Sequence, residues 1–178
     1  DALYMFGGNR SLGQHDFESE FFTAEGAALD LASMQWRDIA PYPEKRQTMS
    51  TFVTASGQIV SVGGFGHDGD VARSHPEVFA YQPSRDEWTQ VGALPGQGRT
   101  QFGLAVRNDA VMLVGGLDYD PRRPKKDQFR HETELLTAPL ELSGLNFEPA
   151  NQTMREPRRA FAGALLGDRY YLIGGMKA

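Results

Sequence analysis

The sequence predicts an all-β fold built from repeats, and three observations carry that prediction. A motif of mostly apolar residues closed by two glycines occurs four times, as LYMFGG, IVSVGG, VMLVGG and YYLIGG. Its glycine pairs stand at Gly7-Gly8, Gly63-Gly64, Gly115-Gly116 and Gly174-Gly175, with steps of 56, 52 and 59 residues, a spacing that marks a repeat architecture. Two more columns keep phase. Trp36 and Trp88 lie 52 residues apart, with Phe147 in the third repeat, and Arg46, Arg99 and Arg158 stand 16 or 17 residues before a glycine pair. The apolar pieces between these marks are short and divided by turn residues, and no stretch of 10 or more residues carries a convincing helical stripe.

The middle repeats define the elements in order. After Arg99, TQFGLAVR forms strand A, ND turns tightly, and AVMLVGG is strand B, apolar throughout and so expected to be buried on both faces. In the preceding repeat PEVFAYQP is strand C, SRD turns, and EWTQVGAL is strand D. The run EGAALDLASM also suits a helix, but its place in the repeat makes it strand. Leu29, Tyr81 and Leu140 are the expected equivalents in strand C, each seven residues before the strand D aromatic and each followed by a polar residue. The chain thus reads as a partial blade over 1–45, blades over 46–98 and 99–157, and a partial blade over 158–178, about three and a quarter four-stranded blades. Four-stranded sheets fanned about an axis make a β-propeller. Glycine suits the crowded centre because it permits close backbone approach and unusual φ. The aromatics of strand D are expected to fill the wedge between blades.

With those elements placed, VFAYQPSRDEWTQVGALP followed by the Arg and AVMLVGG resembles the kelch repeat, with its Gly-Gly, Tyr-x-Pro, spaced Trp and Arg before the next blade. The likeness covers almost the whole chain and extends to the central domain of galactose oxidase. It is strongest in the middle repeat. The first repeat has Leu29 in place of the Tyr, and the third lacks both Tyr and Trp. The resemblance implies a ring of six or seven blades. The remaining blades are expected from the same longer chain or from a second copy. The former is preferred, because bare blade faces at both ends would invite aggregation. A start at Asp1 rather than Met fits a processed chain or a fragment.

Composition narrows the function. A net charge of −5 gives no general attraction to nucleic acid or an anionic membrane, and no apolar run approaches the length of a membrane span. With no cysteine there are no disulfides, Cys-based zinc sites or Cys nucleophiles. Neither count settles the compartment. Gly-x-Ser-x-Gly and phosphate-binding loop motifs are absent, and SVGGFG has no following helix.

In a four-stranded meander the B–C and D–A connections share one rim. The A–B turns (SG, ND, GD) are too short for a site, whereas the B–C loops run about 17, 12 and 16 residues and are expected to lack structure of their own. Each B–C loop carries a His followed by an acid: His15-Asp16, His67-Asp68 and His131-Glu132. Each D–A segment carries Arg46, Arg99, or Arg158 with Arg159. The His-acid pairs sit at different loop offsets, so no metal or other cofactor is expected. The arginines are read in two ways: as guanidinium forks facing the central mouth and binding carboxylates, or as interblade ion pairs and carbonyl caps. The basic run PRRPKKDQFRH is expected to be a solvated, extended loop.

Two functions remain. The first is a binding module that recognises a partner protein or acidic ligand on this rim, with no nucleic acid involved. The second rests on resemblance to sialic-acid mutarotase/epimerase enzymes of the kelch type. That resemblance implies Arg99 or Arg158 clamping a sugar carboxylate, with His67 or His131 moving a proton. Galactose-oxidase chemistry is disfavoured, since its crosslinked Tyr-Cys pair has no Cys here.

Overall fold

The computed structural model describes residues 1–13 and 16–177; His15 lies outside them. Its sheets follow the repeat. The first holds strands B, C and D (Ala2–Phe6, Gly26–Asp30, Gln35–Ile39). The second runs A to D through Ser50–Val53, Ile59–Val62, Glu77–Gln82 and Glu87–Ala93. The third does the same through Gly103–Arg107, Ala110–Val114, Glu134–Pro139 and Glu148–Thr153. The fourth is an A–B hairpin, Ala162–Leu166 with Arg169–Ile173. Every neighbouring pair within these blades is antiparallel. Strands A of successive blades touch one another, and the Ser50 hydroxyl donates to the Phe102 carbonyl at 2.6 Å, so A lies innermost. No helix among the described residues is long and apolar enough to cross a membrane.

Burial follows from blade stacking. In the second blade all four residues of Ile59–Val62 are buried, as an apolar strand sandwiched on both faces requires. Val60, Val62, Val78 and Val91 pack against Phe102, Val111, Leu113 and Leu136 of the next blade. Trp88 fills the wedge toward the first blade. Its ring lies 4.8 Å from Phe6, 4.9 Å from Tyr42 and 5.0 Å from Tyr81, and its indole N–H donates to the Ala40 carbonyl at 3.1 Å. Phe147 is likewise buried. Trp36 is 52% exposed, because no blade lies on that side of it among the described residues.

Two expectations need correction. Strand C of the third blade aligns through Ala138, not Leu140. Leu3, Ile59 and Val111 each stand four residues before a glycine pair, and they pair with Leu29, Tyr81 and Ala138. The slip arises because the C–D link of the third blade is longer. Its Leu145–Asn146 adds in parallel to strand D of the second blade, with Leu145 fully buried. The B–C loops are also not structureless. Phe65–Asp68 pairs with Val71–Ser74, and Leu117–Tyr119 pairs with Phe129–His131, so the second and third of these loops each form a small hairpin.

Candidate functional site

The rim is held by the glycine and arginine columns together. All eight paired glycines have φ between +63° and +111°, a region L-residues adopt only with strain. The N–H groups of Gly8, Gly64 and Gly116 donate to the carbonyls of Arg46, Arg99 and Arg158 at 2.6, 2.9 and 2.8 Å, each arginine opening the following blade. A Cβ on Gly7, Gly63 or Gly115 would meet those same carbonyls at 2.3–2.7 Å. Each arginine then turns its guanidinium to its own blade. Arg46, Arg99 and Arg158 donate to the first-glycine carbonyls of Gly63, Gly115 and Gly174 at 3.4, 3.5 and 3.0 Å. The repeated link explains why these two columns keep phase.

Carboxylates complete the link. Arg46, 1% exposed, pairs with Glu77 at 2.6 Å, lies 3.2 Å from His75 and stacks over Phe79. Burial pushes the Glu77 carboxyl up, but hydrogen bonding at His75 and the Arg46 charge outweigh it and hold it at about 2. Arg99, 6% exposed, donates to the Glu134 carbonyl at 3.0 Å and faces Glu132 at 3.7 Å. Burial lowers its pKa against the opposing pull of Glu132, Glu134 and Asp118. In the corrected strand C register, Glu25, Glu77 and Glu134 occupy one column, each four residues before Leu29, Tyr81 or Ala138. Neither that column nor His75 was read from the sequence. Aligning Ala138 rather than Leu140 with Tyr81 exposes the column directly.

The geometry therefore casts Arg46 and Arg99 as caps and ion-pair partners within their blades. Their donors point at the protein's own acceptors rather than at an open mouth. Arg158 is half-buried and also faces Glu156, at 3.8 Å. Arg159 differs. Among the described residues its fork meets neutral acceptors, His131 Nε2 at 3.2 Å and the Gln101 side-chain oxygen at 2.7 Å. Burial, and then the Arg159 charge, lower the His131 pKa. His67 packs edge-on against Phe22 of the first blade, and burial lowers its pKa first among the causes. Asp68 accepts from Arg73 at 3.1 Å and faces Arg122 of the next blade at 3.5 Å, while Asp16 bonds to Ser11. Among the described residues no group of three or more His, Asp or Glu is placed to hold a metal ion.

Much of the basic run is not loose. Arg122 pairs with Asp120 at 2.8 Å, and Arg123 with the nearly buried Asp118 at 2.6 Å. Hydrogen bonds from Arg122 are the main reason that the Asp120 carboxyl is held at about 2. Beside these pairs a cleft of about 310 Å³ opens between the D–A segment of the second blade and the B–C hairpin of the third. Gln97, Arg99, Asp118, Arg130, Glu132 and Glu134 line it. Nearer the axis, Thr48, Gln101 and Ala160, each two residues after a column arginine, have φ of +56°, +57° and +51°. The Gln101 N–H donates to the Thr48 carbonyl at 3.5 Å and the Ala160 N–H to the Gln101 carbonyl at 2.9 Å, stitching strand A starts together around the mouth.

Comparison with known proteins agrees with this architecture. Kelch-like protein 15 of Danio rerio is 32% identical over 78 residues, 39% of this chain and 13% of that protein. The solved structure of YjhT superposes with a TM-score of 0.73 at 16% identity, covering 98% of this chain and 54% of that one. These are kelch-type propeller blades. Two further relatives are an F-box/kelch-repeat protein of Arabidopsis thaliana, 26% identical over 51% of this chain and 26% of that protein, and N-acetylneuraminate epimerase of Pasteurella multocida strain Pm70, 26% identical over 48% of this chain and 23% of that protein. The matches therefore span about a quarter or less of these curated relatives and about half of the solved structure. No family model matches the chain.

Proposed function

We propose that this kelch propeller segment is a binding module, and that it recognises a partner protein or acidic ligand on the rim built by its B–C and D–A connections. The observation that carries the reading is Arg159: among the described residues its fork has no carboxylate opposite it and meets His131 and Gln101 instead. A cation held by neutral acceptors keeps its attraction for an incoming carboxylate, and the planar fork favours that geometry. Its kelch-named relatives support an interaction role. The repeat units are taken as 1–45, 46–98, 99–157 and 158–178, with further blades completing the ring. The test is Arg159→Ala together with Arg159→Lys, titrated with a carboxylate-bearing peptide and its amidated counterpart. Loss in both variants with retained folding supports the reading, and unchanged affinity overturns it.

A second reading is favoured by the similarity to N-acetylneuraminate epimerase and by the 3.2 Å contact between Arg159 and His131. In it the same arginine anchors the carboxylate of a sugar acid, and a neutral His131 is the proton-transfer group. Buried Arg99 no longer suits the clamp. Following the anomerisation of N-acetylneuraminate by NMR decides between the two: acceleration by the wild type, lost in His131→Gln, establishes the enzyme, and no acceleration leaves the binding module.

A further inference from the structure

The cleft of about 310 Å³ between the second and third blades is bordered by an acceptor that the fold leaves unmatched. Asp118 lines it and is 7% exposed. Its Oδ2 accepts from Arg123 at 2.6 Å, but its buried Oδ1 has no hydrogen-bond partner among the described residues. A buried carboxylate oxygen without a donor is costly, and native folds keep few of them. Arg130 stands directly across the hairpin from Asp118, yet it is exposed and donates to neither oxygen. Two more carboxylates line the same cleft. Glu132 faces Arg99 at 3.7 Å, longer than a hydrogen bond. Arg99 is spent on the carbonyls of Gly115 and Glu134, at 3.5 and 3.0 Å. The exposed Glu134 carboxylate enters no hydrogen bond or ion pair among the described residues. All three acids act on the Arg99 charge against its burial, so their fields overlap in the cleft.

Among the described residues these acids do not form a group that could hold a metal ion. Acceptors spread along a wall suit a cation whose N–H donors diverge, and a guanidinium carries five in a planar fork. From this we infer that the cleft is a subsite for an arginine side chain of a partner protein. Its N–H groups supply the missing donor to Asp118 Oδ1 and pair with Glu132 and Glu134. The volume lies at the small end of ligand pockets, roughly 300–1,000 Å³, which suits a single inserted side chain. The inference rests on the rim being a protein-binding face, but not on Arg159. Alternation along the hairpin puts His131 on the Arg159 side and Arg130 and Glu132 on the cleft side. A partner spanning the hairpin thus offers an acid to one side and an arginine to the other.

Titration of the full-length protein with Nα-acetyl-arginine amide, followed by amide NMR, tests it. Binding in the millimolar range is expected, with shifts centred on residues 97–99, 118 and 132–134, and none from the neutral Nα-acetyl-citrulline amide. Glu134→Gln, at an exposed position, weakens binding by about tenfold, and Asp118→Asn weakens it at least as much if folding is retained. Arg130→Ala does not weaken it. Equal binding of the citrulline amide, shifts centred on Arg159, or unchanged affinity in Glu134→Gln overturns the inference. So does an absence of shifts at about 50 mM ligand, or loss of binding in Arg130→Ala. Agmatine binding more than about tenfold tighter than the blocked arginine assigns the cleft to a free small cation and overturns the partner-protein source. None of these readouts uses Arg159 or a carboxylate ligand, so failure here is distinct from failure of the binding-module reading.

Discussion

Replacing Arg46 with Ala separates a structural cap from a ligand-binding arginine. The side chain is 1% exposed, pairs with Glu77 at 2.6 Å, bonds to the Gly63 carbonyl at 3.4 Å and lies 5.6 Å from the centre of the Phe79 ring. Its removal leaves a partly buried carboxylate with only His75 beside it among the described residues and an unfilled space, a loss of roughly 3 kcal/mol. Set against a typical domain stability of about 5–15 kcal/mol, that is a large share. The pH dependence adds a second reading. The Glu77 carboxyl titrates at about 2 in the fold against an ordinary 4.5. A lowered folded value means that its contribution is fully present above pH 4.5 and disappears as pH falls toward 2. The difference corresponds to at most roughly 3 kcal/mol, and screening around a partly exposed carboxylate reduces it to about 1–2 kcal/mol. Urea unfolding measured at intervals from pH 7 to pH 2.5 gives both quantities. The wild type loses stability over that window beyond its general acid sensitivity, and in Arg46→Ala this component shrinks as Glu77 returns toward 4.5. A variant within 1 kcal/mol of wild type, with the same pH profile and lost ligand binding, would refute the cap assignment.

Three further outcomes follow from the same geometry. Gly63→Ala forces a left-handed alanine and a Cβ 2.3 Å from the Arg99 carbonyl, so its loss of stability exceeds that of Gly174→Ala, where no atom lies within 4 Å; the latter should cost about 1 kcal/mol, and equal losses in the full-length protein would show a following repeat seated on Gly174. Thermal unfolding should show Trp88→Ala costing about 3–5 kcal/mol and Trp36→Ala well under half of that, because Trp88 is enclosed by Phe6, Tyr42 and Tyr81 while Trp36 is 52% exposed. Ala160→Gly relieves a φ of +51° and is expected to raise stability by up to about 1 kcal/mol, read as a higher urea midpoint; a decrease would mean that the Ala160 methyl packs more than it strains.

The sequence by itself determined what is local and repeated. Glycine doublets after apolar tetrads dictate left-handed turns at the end of each strand B, and short β-capable pieces between turns dictate the meander, so blade number, strand order and the wedge position of Trp88 were legible. The tertiary structure alone decided which side chains meet. Glu25, Glu77 and Glu134 form one column only when Ala138 is aligned as the equivalent of Tyr81, and the longer C–D link of the third blade hides that register in the linear spacing. Thr48, Gln101 and Ala160 share a backbone conformation but no side-chain chemistry, so no residue pattern announces them. Arg158 and Arg159 are neighbours of identical type, yet one caps Gly174 and the other reaches His131 and Gln101. Successive side chains of a strand point to opposite faces, and only the rotation between blades fixes what stands across from each.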